Sequence, residues 1–417
     1  KDVIPDKIDR RDHIFTEQLY GLALDWMLTI QTRIVLYGRM YANHPTSCTR
    51  KFKTKEGNIK LFEVTVNGNS YGYTDILKAD PAVVDGMLKE AFGDVKFDVV
   101  IGNPPYQEKT QSIYQKFIDL AIRNSKQHVV MIVKNNWMVS DTLKDTRDNM
   151  IKNGLVKVID YPVYGEIFKN VGVAVNIFHV DKKSNSDLHF RCVRNGDTVE
   201  EYVADIRGLP IIFSSKIESN IVRKVASDLR HGSFSSEVYP AEPFRINSNF
   251  NVGRGVGTYE LKTNNEETDY YNIKVAYMDG RDLKYKYTNI SCIPNRVEIV
   301  DEYKIICGGR LSRGGSVVSN INIIDRMSAC TSSWGVLYSN KSAITVRNVS
   351  TYIKTKFFRS LVRIMCGQGL IGVSPYRFSI VPMQDFSKPW TDEELYKKYN
   401  LTEEEINYIE STVKNVE

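Results

Sequence analysis

The chain has 417 residues, enough for two or three domains with a core in each. A composition of 42% hydrophobic and 25% charged residues excludes a disordered or low-complexity polymer. With 56 Lys and Arg against 50 Asp and Glu the net charge is +6, a mild basic excess that suits a nucleic-acid partner without requiring one.

Six scattered cysteines, with no Cys-x-x-Cys and no zinc spacing, read as reduced intracellular thiols, so no metal is expected. No apolar run reaches membrane length and no signal peptide is visible, which points to a cytoplasmic protein with no membrane partner. The first residue is Lys1 rather than methionine, and we expect a fragment or a trimmed chain.

Residues 12 to 38 read as a short strand, Gln18 to Leu24, and a helix carrying Met27, Ile30, Ile34 and Val35. Residues 44 to 80 are polar and glycine-bearing, an inserted loop or hairpin before a helix over 81–92. Phe97 to Gly102 reads as a buried apolar strand. Ile113, Phe117, Leu120 and Ala121 have the spacing of an amphipathic helix, followed by a strand over 128–133, a helix over 140–153 ended at Gly154, and a strand over 156–160. Glu166 to Gly172 is a turn feeding a last strand over 173–180. Alternating strands and helices predict a doubly wound sheet, and the polar run Lys182 to Ser186 marks its end. The remaining, longer part of the chain has many short strands, helical stretches at 215–230 and 349–366, and two capping-box starts, Thr391 with Glu394 and Thr402 with Glu405.

The most informative segment is Asn103-Pro104-Pro105-Tyr106, at the carboxyl end of the Phe97–Gly102 strand. The side-chain carbonyl of Asn103 and the backbone carbonyl of Pro104 can accept both hydrogens of a planar exocyclic amine. Pro105 stiffens the loop, and the ring of Tyr106 stacks on the heterocycle. Such an amine is a poor nucleophile because its lone pair is delocalised. Two acceptors that draw it toward tetrahedral geometry localise that pair, so no general base is needed and alignment supplies the rest. A base buried in a duplex must first be flipped out, at a few kcal/mol, which stacking worth about 1 to 3 kcal/mol largely offsets.

These residues resemble motif IV of the amino-methyltransferases that use S-adenosylmethionine, and residues 14 to 182 look like motifs II to VIII of adenine-N6 DNA methyltransferases of type II restriction-modification systems. Ser350 to Arg359 and Val381 to Phe386 resemble the specificity region of the same group. The resemblance implies a partial Rossmann-like methyltransferase sheet over 1–182, a mixed α+β target-recognition domain over 183–386 and a helical tail over 387–417. It implies that Asn103 and Pro104 orient the amine, that Tyr106 stacks on an extruded adenine, and that Phe168 packs against the base, although a core phenylalanine closing the sheet edge explains Phe168 equally well. The implied partners are double-stranded DNA and a restriction endonuclease, encoded beside this chain or fused to it.

The pattern departs from the family at the cofactor. The glycine-rich motif I that should precede residue 20 is missing, and the acidic position that binds ribose hydroxyls is Ala23. Tyr20, Gly21, Asp25 and Asn103 are left as the candidate S-adenosylmethionine contacts, Glu17 is an alternative to Asp25, and weak or no cofactor binding is expected of residues 1–417 alone. Gly253-Arg254-Gly255-Val256-Gly257 lacks a feeding strand and a following helix, so it reads as a turn of the specificity region.

In the second half, Arg310 and Arg313 in the glycine-rich stretch 308–315 suit contact with DNA, and Lys354, Lys356, Arg359 and Arg363 suit either phosphates or a solvated helix face. Two other readings stand beside the leading one: a DNA-binding specificity fragment without turnover, and a methyltransferase acting on RNA or on protein glutamine.

Overall fold

The computed structural model describes residues 4–14, short strands between 51 and 70 and, with short gaps, residues 94–415. The chain divides into two compact units. The first comprises Lys1–Lys134, Asn149–Pro162 and Val175–His189; the second comprises Asn135–Asp148, Val163–Ala174 and Phe190–Glu417. The strand and helix expected within 12–38 and the helix expected over 81–92 lie outside the described residues. Between them, Lys51–Lys53 pairs with Ile59–Leu61 and Thr65–Val66 with Asn69–Ser70, two short hairpins in the stretch read as an insertion.

The first unit is built around β1 (Phe97–Gly102), β2 (Gln107–Glu108), β3 (Gln111–Ser112), α1 (Tyr114–Asn124) and β4 (Ser125–Lys134). Along the chain after β4 come α2 (Lys144–Lys152), β5 (Val156–Pro162), β6 (Val175–Asp181), β7 (Leu188–Arg194) and β8 (Asp197–Ala204), of which β8 and parts of α2 and β7 are assigned to the second unit. The strand order is β8-β7-β5-β6-β4-β1, so the sheet continues past the polar run at 182–186. β1 and β4 are parallel, with α1 as their crossover, while β6 runs antiparallel to both β4 and β5. The chain is thus α/β with a central mixed sheet.

Alternation sorts the side chains. Val129, Met131 and Val133 of β4, Phe178 and Val180 of β6 and Ile159 of β5 are buried, and α1 adds Tyr114, Ile118 and Ala121. The expectation that β1 is buried needs correction: Val99 and Ile101 are 54% and 76% exposed. β1 ends the described strand order, so it has one neighbour and lacks the flank that shields β4.

The helix expected over 140–153 is confined to 144–152. Residues just before it wrap around the buried guanidinium of Arg147, which donates to the carbonyls of Trp137 and Ser140 and to the hydroxyl of Tyr376. A side chain has taken over carbonyls that a longer helix would have bonded.

The second unit packs strands against helices. Its main elements are α3 (Lys216–Val225), β9 (Tyr303–Gly308), β10 (Arg310–Ser312), β11 (Trp334–Asn340), α4 (Ala343–Lys354), α5 (Lys356–Met365), β12 (Leu370–Gly372), α6 (Asp392–Lys398) and α7 (Glu403–Thr412). The helical stretch expected over 349–366 is two helices divided at Thr355, whose extended backbone ends α4 and whose hydroxyl caps α5 by accepting from Phe358 N. Asp392 accepts from Lys356 N and Phe357 N, so the first three amides of α5 all have partners. Buried nearly all round, with Phe357, Phe358, Leu361 and Val362 fully buried and Arg359 and Ser360 buried beside them, α5 is the central helix of this core. Both expected capping boxes are present.

Candidate active site

The sheet order and the β1–α1–β4 crossover put Asn103 at the carboxyl end of β1, the end at which open α/β sheets bind their ligands. Asn103 is exposed, Pro104 is buried and Tyr106 is half-buried; Pro105 lies outside the described residues. The phenol of Tyr106 donates to Asn103 Oδ1 at 2.9 Å. Burial raises the pKa of that phenol, so it keeps its proton.

The next residues fold back. β2 and β3 pair antiparallel as a tight hairpin, which returns the chain so that Ile113 N donates to Tyr106 O at 3.2 Å. Tyr114, the first residue of α1, then meets the Tyr106 ring edge-on, with centroids 6.4 Å apart and planes at 81°. Tyr106 is thus anchored from the α1 side, while Asn103 is exposed.

Two neighbours escaped the sequence reading. Ser112 Oγ and Gln115 Oε1 are buried without a hydrogen-bond partner among the described residues, while Gln115 Nε2 donates to Ser112 O at 2.9 Å. No periodicity marks a polar pair of this kind; the hairpin creates it.

The other expected site residues are placed as follows. Tyr20, Gly21, Asp25 and Arg313 lie outside the described residues, as does Gly253 to Gly257. Phe168 is half-buried at a bend that belongs to the second unit. Arg310 is exposed on β10, opposite Gly372 of β12, and its guanidinium has no hydrogen bond or ion pair among the described residues.

Two expectations about the basic stretch are corrected. Arg359, 1% exposed, donates to the carbonyls of Lys354, Thr355, Ser316 and Lys414. Arg363 pairs with Glu218 and Tyr408, and Lys356 with Glu410. Arg359 and Arg363 thus serve the interior, while Lys356 pairs at the surface and Lys354 is exposed. Gly309 is likewise occupied by its own protein, since a Cβ there would lie 2.8 Å from Ser332 O.

Residues 17–168 match the family model of the Eco57I restriction-modification methylase. The matched segment contains the whole Asn103–Tyr106 loop and ends at Phe168. A Mycoplasma pneumoniae protein described as an uncharacterized adenine-specific methylase is 25% identical over 204 residues, covering 38% of this chain and 48% of its own length.

Among solved structures, the type IIL restriction-modification enzyme MmeI in complex with DNA aligns with 67% of this chain and 45% of its own, at 9% identity and a TM-score of 0.40. The DrdV–DNA complex aligns with 93% and 51%, at 10% identity and a TM-score of 0.40. The chain therefore spans about half the length of these relatives. No described helix is long and apolar enough to cross a membrane, and no group of metal-ligating side chains occurs among the described residues.

Proposed function

We propose that the chain is the methyl-transferring and target-reading part of a restriction-modification enzyme that modifies adenine N6 in duplex DNA. The observation that carries this reading is the exposed Asn103 carboxamide, on a proline-stiffened loop at the carboxyl end of a sheet strand beside a half-buried phenol. Asn103 Oδ1 and the Pro104 carbonyl accept the two amine hydrogens, and the Tyr106 ring stacks on the extruded base.

S-adenosylmethionine, when bound, supplies a sulfonium methyl. Tyr20, Gly21 and Asp25 are the proposed contacts of the chain with it, together with Asn103, whose exposure at the strand end fits a neighbour on that side. On the recognition side, Arg310 is the exposed guanidinium offered to phosphate or base edges, with Arg313 as its proposed companion. A restriction endonuclease activity, encoded beside the chain or fused to it, is the functional partner of such a methylase.

Incubating the full-length protein with labelled cofactor and, in parallel, duplex DNA, RNA and a glutamine-bearing peptide tests the substrate class. We expect label in duplex DNA. Label confined to RNA or peptide refutes the assignment, and DNA binding without any label leaves a specificity module in its place.

A further inference from the structure

We propose that Tyr114 and the hydroxyl of Tyr106 form a positioning relay that decides which end of the Asn103 carboxamide meets the target amine. The proposal rests on the reading of Asn103 as the amine's acceptor. A carboxamide has an accepting oxygen and a donating NH2. With the oxygen turned to the amine a hydrogen bond forms; with the NH2 turned to it, donor faces donor.

Nothing in its exposure fixes that choice for Asn103, because the terminal torsion of an asparagine is broad and two-fold. Tyr106 supplies the missing constraint. Its O–H donates to Oδ1 at 2.9 Å and leaves that oxygen a second lone pair for the amine. Were the amide reversed, the hydroxyl could accept from Nδ2 but its own proton would lose its acceptor in a half-buried setting, where an unmet donor is costly.

Tyr106 can impose an orientation because it is itself held. Its carbonyl accepts from Ile113 N, and its ring lies edge-on to fully buried Tyr114 at the start of α1. Position thus passes from the helix through two phenol side chains to the exposed amide. The hydroxyl of Tyr106 gains a role separate from the stacking of its ring.

Tyr106→Phe keeps the ring and removes the hydroxyl. In the full-length protein it should lower kcat about five-fold, the worth of one net hydrogen bond, with KM for DNA within about two-fold. Repeating it in an Asn103→Asp background isolates orientation, because a carboxylate has two equivalent oxygens and no wrong end; there the loss should shrink below about two-fold. Equal losses in both backgrounds, or none with Asn103 in place, overturn the relay.

The same contact is readable without turnover. In protein labelled with 15N-asparagine, the two side-chain N–H resonances of Asn103 should shift in Tyr106→Phe and also in Tyr114→Leu, and unchanged resonances in both overturn the proposal. Failure of the functional reading looks different: Asn103→Ala would then leave activity intact while the resonances still respond to Tyr106→Phe.

Discussion

In the proposed function Asn103 and Tyr106 divide the work of holding a base between an exposed polar group and a half-buried ring, and each can be tested alone. Stacking on an aromatic face is worth about 1 to 3 kcal/mol, so Tyr106→Ala should weaken capture of an extruded base about five-fold or more. With 2-aminopurine at the target position of duplex DNA, fluorescence on binding reports that capture. We expect Tyr106→Ala to reduce it and Tyr106→Phe to preserve it; equal signals from wild type and Tyr106→Ala would remove the ring from the site.

This segment stands out in the sequence because an amide, two prolines and a phenol in succession carry their chemistry in covalent order. The bond from Tyr106 to Asn103 does not, since it depends on the hairpin that pulls Tyr106 back to Ile113. Arg359 and Arg363 show the opposite failure. Their charge suggested an outward role, but a guanidinium with five donors can instead gather carbonyls inside a fold, and no spacing rule reveals which it does.

At the scale of elements, local signals were dependable and neighbour-dependent ones were not. The capping boxes at Thr391 and Thr402 were legible because a hydroxyl and a carboxylate three residues apart close on each other within one turn. Thr391→Ala should therefore cost about 1 kcal/mol in urea unfolding, and a change under about 0.3 kcal/mol would show that α6 is held by packing alone.

The division of 349–366 at Thr355 was hidden because threonine tolerates helix interiors and caps alike; what decides is Asp392, brought from a distant segment to serve the first amides of α5. Likewise β1 has the composition of a buried strand, and its exposure reflects its place in the strand order, which composition does not encode.

At the scale of the whole molecule, the net charge of +6 conceals how the cations are spent. Several point inward, and Lys304 is the extreme case. Fully buried on β9, it donates to the carbonyls of Val300 and Glu302 and to Ser328 Oγ, and burial pulls its pKa down to about 8. An unfolded lysine titrates near 10.4, so between about pH 8 and pH 10 the unfolded chain holds more protons than the folded one, and this group's contribution to stability rises with pH. Urea unfolding of wild type against Lys304→Met should reveal up to about 3 kcal/mol of that rise, present in wild type and absent from the variant. Parallel pH profiles would contradict it.

The central claim, that the Asn103 loop holds an adenine amine for methylation, is tested most directly by digesting DNA after incubation with labelled cofactor and the full-length protein, then identifying the labelled nucleoside. The expected labelled nucleoside is N6-methyl-2′-deoxyadenosine, with the rate reduced at least about 100-fold by Asn103→Ala. Label on another base, or an unchanged rate in that variant, would contradict it.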